Sequence, residues 1–200
     1  MHLFVDISSH GFGHLAIAGP VLNAVAEIDP DLRLTVRSGL PAAKLAQRIR
    51  PPFEHIAAAS DFGYVMHDAL SIDRAATAAA YRAAHADWPA RIAAEAAFLE
   101  HLQPDAVLSN VSCLPLAGAA VAGIPALAIC SLNWAELFVH FFGHEDWAPS
   151  IHAEMLAAYR AARHFIRITP AMAMADLANT TTVGPVASLG RRHDLGLQGD

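Results

Sequence analysis

LFVDISSHGFGHLAIAGPVLNAVAEI, residues Leu3–Ile28, joins two different periodicities. Leu3–Ser8 is a short apolar run of strand length. His14–Ile28 carries apolar side chains at Leu15, Ala18, Leu22, Val25 and Ala26, the spacing of one helix face. Asp29-Pro30 stops that helix. Between the two runs lie Gly11 and Gly13, which favour a sharp turn and a close backbone approach to a ligand, together with His10 and His14.

The same alternation continues. Leu32–Ser38 alternates apolar and polar residues and predicts a second strand. Pro41 opens a helix that Pro51-Pro52 ends, and Phe53–Ala58 predicts a third strand. Residues 58–72 have no clean period and predict a long loop. Asp73–Leu102 is an alanine-rich helical stretch with a break near Pro89. Asp105–Asn110 predicts a strand, Leu114–Gly123 a buried helix, and Ile124–Ser131 another strand. Helices over 133–142 and 148–163 precede two last strands, 164–169 and 180–185. Repeated strand–helix alternation predicts a doubly wound, Rossmann-like α/β fold with a parallel sheet. The reading places one domain over 1–186, with 187–200 as a linker or disordered tail.

Composition narrows the function. Hydrophobic residues make up 54% of the 200 and charged residues 16%, with a formal net charge of -6. That excludes a disordered chain and disfavours nucleic acid as a partner. The run from Cys113 to Leu132 falls short of the roughly 20 apolar residues of a membrane span, being interrupted by Pro115, Gly118, Gly123 and Pro125. The first ten residues carry Asp6 and lack a basic region, so no secretory signal is expected. Cys113 and Cys130 read as reduced core thiols, which predicts a cytoplasmic protein. Histidine is abundant, 12 against 13 Lys plus Arg. His140 and His144 stand four apart, but their surroundings lack the glutamate of a zinc protease helix, so no metal is expected. His85 and His101 are expected to be solvated.

Ligands of such folds bind at the carboxyl ends of the strands, and the first helix points its free N–H groups there. Gly11-Phe12-Gly13-His14-Leu15-Ala16 matches the G-x-G-x-x-A dinucleotide pattern. The second strand ends on Val36-Arg37-Ser38 rather than on an acid, which disfavours NAD. An NADP-dependent oxidoreductase with Arg37 on the 2′-phosphate stays open, as does a module binding a nucleotide or phosphorylated ligand. The imidazoles fit a general base, since histidine titrates near neutrality; His14 is the first candidate and His10 the second. Gly11, Phe12, Gly13, Arg37, Asp61, Ser131, Asn133 and Trp134 are the candidate ligand contacts by their places at strand ends. Asn133 or Ser131 is equally suited to capping the helix that follows.

The loop and helix SSHGFGHLAIAGPVLNAVAEI resemble the start of GT-B glycosyltransferases. They are similar to the Gly-rich, His-containing loop of the lipid-linked N-acetylglucosaminyltransferases of peptidoglycan synthesis, and to the transferase-like segment preceding some sugar kinases. PDAVLSNVSCLPLAGAAVAGIPALAI (Pro104–Ile129) and TVGPVA (Thr182–Ala187) extend the resemblance over nearly the whole chain. It implies the N-terminal, acceptor-side half of a transferase. Such an enzyme moves sugar from a nucleotide-sugar donor to a hydroxyl acceptor and uses no further cofactor. It also implies a second Rossmann-like domain that binds most of the donor, so that 200 residues alone are expected to be inactive. In UDP-sugar transferases of the plant type an aspartate orients the catalytic histidine. Asn110 stands nearest to that position here, with Asp61 or Asp68 as substitute acids. The cleft loops carry Phe12, Phe62, Tyr64, Leu132 and Trp134, an apolar set expected to support a homodimer.

Overall fold

The computed structural model describes residues 1–68 and 70–188. Strands β1 (His2–Ile7), β2 (Arg33–Arg37), β3 (Glu54–Ile56), β4 (Ala106–Asn110), β5 (Ala126–Cys130), β6 (His164–Ile168) and β7 (Thr180–Val183) form one sheet. Their order is β3-β2-β1-β4-β5-β6-β7, and every pairing is parallel. The helices are α1 (Phe12–Ile28), α2 (Ala42–Ala46), α3 (Arg74–His85), α4 (Trp88–Leu102), α5 (Leu114–Ala122), α6 (Trp134–Phe142) and α7 (Ala148–Ala161).

Strands buried on both faces alternate their side chains between two cores. Leu3, Val5 and Ile7 of β1 pack with Leu15, Leu22, Leu34 and Val36 on the α1 side. Phe4 points the other way, into the larger cluster with Leu99, Leu116, Phe138, Tyr159 and Phe165. The alanine-rich stretch splits where Pro89 predicts a break: Asp87 caps α4 by accepting from the Ala90 N–H at 3.2 Å, and Pro89 occupies the first turn, where its missing N–H is harmless. Gly123 ends α5 at φ 70, a left-handed cap that suits glycine. The helix expected from Pro41 is shorter, ending at Ala46 before turns at Arg48 and Ile49.

Three expectations are corrected. Gly11 is extended, with φ 177, and Gly13 lies inside α1, so the turn into α1 does not draw on glycine's special backbone freedom. A Cβ at either position would meet nothing within 4 Å. Arg37 does not face solvent or a phosphate. It is 8% exposed, with Nε 2.5 Å from Asp6 Oδ2 and Nη1 and Nη2 at 2.9 and 2.6 Å from the Glu95 carboxylate. The rings of Phe4 and Phe98 cover its guanidinium at 5.1 and 5.3 Å. The third is His85, taken up below.

The sheet reverses its winding direction between β1 and β4, where Ile7 sits beside Asn110. Crevices at the carboxyl ends of such strands are the ligand sites of open α/β sheets.

Candidate functional site

His14 lies in the first turn of α1, above the carboxyl end of β1, and is 7% exposed. Its ring meets the Trp134 ring edge-on at 5.7 Å, and Nδ1 stands 3.9 Å from Cys130 Sγ. Burial pulls its pKa down to about 4, and the nearby His10 adds to the pull, while Asn110 favours the charged ring. At pH 7 the imidazole is therefore neutral, and in the unliganded site burial makes it a weaker base than a free histidine.

Asn110, the last residue of β4, lies near His14. Nδ2 donates to the Ile129 carbonyl at 3.0 Å, which aims the amide. Oδ1 closes no hydrogen bond of ordinary length among the described residues, so its support of His14 is weak. The next residue, Val111, has φ 76, a left-handed conformation that a β-branched residue rarely adopts. Its carbonyl accepts from the Tyr159 hydroxyl at 2.6 Å, and that hydroxyl in turn receives the Trp134 N–H at 3.2 Å. One buried tyrosine thus ties the turn after β4 to the start of α6.

His10 is held differently. Its Nδ1 accepts the Tyr64 N–H at 3.4 Å, and its ring packs edge-on to Trp134 at 5.3 Å. Gly63 has φ +59, and a Cβ there would lie 2.6 Å from the His10 ring. Here glycine answers both a backbone and a space requirement. His10 pins the loop after β3 against the turn after β1.

Asp61 belongs to that loop. It is not a partner of His14: Oδ2 accepts the Trp134 indole N–H at 2.7 Å. Burial, with the Asp6 carboxylate nearby, pushes the Asp61 carboxyl up to about 6. The Ser8 and Ser112 hydroxyls favour its charged form, yet neither closes a hydrogen bond of ordinary geometry on Oδ1. Ser60 fixes the same loop by donating to Asp6 Oδ1 at 2.6 Å, and Asp6 is itself gripped by Arg37. Asp68 lies on the exposed part of the loop, accepting from the N–H groups of Leu70 and Ser71.

Asn133 caps α6, with Oδ1 accepting the Glu136 N–H at 2.7 Å, and is 2% exposed. Its expected ligand contact is replaced by this structural role. Ser131 is half-buried, and its carbonyl accepts the Met172 N–H. The apolar set expected on the open cleft folds inward. Tyr64 and Trp134 are buried and Phe62 and Leu132 half-buried. Phe12 stays exposed, with Lys44 Nζ 5.9 Å from its ring. The exposed patch invoked for a homodimer is not formed.

Inward folding creates a pocket of about 170 Å³ beside Trp134, with Asp61, Phe62, Tyr81, His85 and Trp88 among its walls. Tyr81, His85 and Trp88 follow one another at helical spacing, and that aromatic stripe is the signal that marks them in the sequence. His85 is the third correction: its side chain is 5% exposed, because α7 and Trp88 cover it. His101 is exposed as expected. α6 ends before His144, which pairs with Glu145 at 3.3 Å. Among the described residues no three His, Cys, Asp or Glu side chains are grouped to hold a metal ion, and no helix is long and apolar enough to cross a membrane.

Solved glycosyltransferases share this architecture. The calicheamicin glycosyltransferase CalG4 superposes with a TM-score of 0.57 at 16% identity, over 92% of this chain and 52% of its own. UGT2 of Phytolacca americana, complexed with UDP-2-fluoro-glucose and pterostilbene, gives 0.56 at 12% identity, over 94% and 55%. The glycotransferase of kitacinnamycin gives 0.55 at 16% identity, over 100% and 54%. The chain has the fold of a GT-B half. It spans about half the length of these structures. No family model matches it, and no curated protein matches it in sequence.

Proposed function

We propose that this GT-B half binds the acceptor in a glycosyltransferase that moves a sugar from a nucleotide-sugar donor to a hydroxyl. On this reading the acceptor-side domain spans 1–186. The tail proposed as a linker begins at 187, and its residues 189–200 lie outside the described ones. The observation that carries the reading is the buried, neutral His14 at the switch point of the sheet, packed on Trp134, which also lines a largely apolar pocket. His14 takes the proton of the attacking hydroxyl. The free N–H groups at the start of α1, and the open space beside Gly11 and Gly13, suit a donor diphosphate approaching from the other half. A diphosphate brought there favours the imidazolium, a service that Asn110, lacking charge, cannot render. The oxidoreductase alternative loses its phosphate contact, since Arg37 is already committed to Asp6 and Glu95.

The test is His14→Ala in the chain joined to its donor-binding half. Turnover is expected to fall at least about 100-fold, with the melting temperature and UDP binding retained. Near wild-type turnover would move the base to His10.

A further inference from the structure

Among the described residues, the shortest histidine–carboxylate contact is that of His85. His85 Nδ1 lies 2.6 Å from Glu154 Oε2. Three elements build this pair. α3 supplies the histidine, α7 supplies Glu154, and α4 supplies Trp88, whose ring stacks on the imidazole at 4.5 Å and 27°. Tyr81, one turn earlier on α3, lies nearly parallel at 6.4 Å and 28°. A ring held by a short hydrogen bond and clamped by stacking has one orientation and one tautomer: Nδ1–H donates to the carboxylate, which leaves Nε2 an acceptor. Nε2 has no hydrogen-bond partner among the described residues, and His85 is on the wall of the pocket.

Burial outweighs the Glu154 carboxylate and holds the His85 pKa below its ordinary value. Burial lowers its affinity for a proton, Glu154 raises it, and Arg91 of α4 lowers it again. Arg91 is turned aside, donating Nη1–H to the Ala84 carbonyl at 2.8 Å, with its guanidinium 5.6 Å from the Trp88 ring. Apart from Ser60, whose hydroxyl donates to Asp6, and Asp61, whose Oδ2 is taken by Trp134 and whose Oδ1 is buried, the other walls are apolar or aromatic. Such walls select an apolar ligand, and one fixed acceptor selects a donor group upon it.

We propose that the His85–Glu154 pair is a specificity-determining site: Nε2 of His85 accepts a hydrogen bond from a hydroxyl of an apolar ligand seated in this pocket. The proposal rests on the pocket being the acceptor site, and it assigns His85 to recognition, leaving the proton transfer to His14.

Two matched probes test it on the 200-residue chain without any donor: 2-naphthol, and 2-methoxynaphthalene, which has the same rings and no O–H. Dissociation constants from calorimetry are expected to favour naphthol by about ten-fold. His85→Phe keeps the stacked ring and removes the acceptor, and the preference is expected to shrink to within about two-fold with the ether bound as before. Glu154→Ala frees the ring to change tautomer and reorient, and is expected to weaken the preference by a smaller factor. Equal affinities in the wild-type chain, a preference untouched by His85→Phe, or binding of neither probe would each overturn the proposal. A preference that survives His85→Phe and disappears in Asp61→Asn would hand the contact to Asp61. None of these results bears on the His14 turnover test, so the two ideas fail separately.

Discussion

His14 and Asp61 both contact the Trp134 indole and have opposite electrostatic histories. Burial lowers the first from 6.5 to about 4 and raises the second from 3.8 to about 6. Between pH 4 and 6.5 the unfolded chain protonates His14 and the folded chain does not, so this group makes stability rise with pH. Between pH 3.8 and 6 the folded chain keeps a proton on Asp61 that the unfolded chain has lost, so this group makes stability fall with pH. Each contribution is on the order of 3 kcal/mol, and over the shared window they offset. Wild-type stability is therefore expected to change little between pH 4 and 6 through these two groups. Asp61→Asn should unmask His14, giving a denaturation midpoint that drops steeply as pH falls from 6.5 to 4. His14→Gln should unmask Asp61, giving a midpoint that drops as pH rises from 4 to 6. Urea titrations at half-unit pH steps check this; parallel profiles in the three proteins would refute it.

Two helix glycines sit in opposite surroundings. Gly118 of α5 faces Glu95, and a Cβ there would come within 2.4 Å of Glu95 Cγ and 3.2 Å of the Ala96 nitrogen. Glu95 cannot swing aside without releasing Arg37, and an unpaired buried charge is strongly destabilising. Gly118→Ala is expected to destabilise the chain by about 1–3 kcal/mol, seen in a thermal melt as a midpoint lower by roughly 2–12 °C. Gly13 is the opposite case: it lies in α1 with open space beside it. Gly13→Ala should stabilise by about 0.5–1 kcal/mol, since alanine loses less backbone freedom in a helix. If the donor approaches there, the same change lowers turnover of the joined enzyme. A stabilised Gly13→Ala enzyme with unchanged turnover would remove that approach from the mechanism.

At the scale of the molecule, the proposed function assigns donor binding to a second half, and the solved structures with this fold are about twice as long. Purified residues 1–200 are expected to release no UDP from a UDP-sugar in the presence of an acceptor, and joining or adding the donor-binding half should restore release. Turnover by the 200 residues alone would contradict this division of labour. The core itself is spread over both faces of the sheet, with the two large apolar clusters meeting on opposite sides of β1. The Arg37–Asp6–Glu95 group joins β1, β2 and α4 within that core. Through Ser60 it also braces the loop that carries Asp61.

The fold was legible in the sequence because strand and helix periods are local. Leu3–Ser8 and His14–Ile28 show their geometry within a few residues, and Pro89 and Gly123 mark their boundaries by backbone chemistry that needs no partner. The positions of His14 and Asn110 at strand ends were legible as well, since the ends follow from the same local periods. What lies beside what was not legible. Arg37 reads as an exposed cation at the end of β2, and only the packing of α4 across the sheet brings Glu95 to it. His85 reads as a solvated residue on an alanine-rich helix, until α7 delivers Glu154 from 69 positions away. Trp134 and Tyr64 read as an exposed apolar patch, yet they close over the cleft because the loop after β3, pinned by His10 and Gly63, folds onto α6. Periodicity belongs to neighbours in the chain and survives in the sequence. Ion pairs, stacked rings and pocket walls join side chains far apart in it, and tertiary packing alone decides which of them meet.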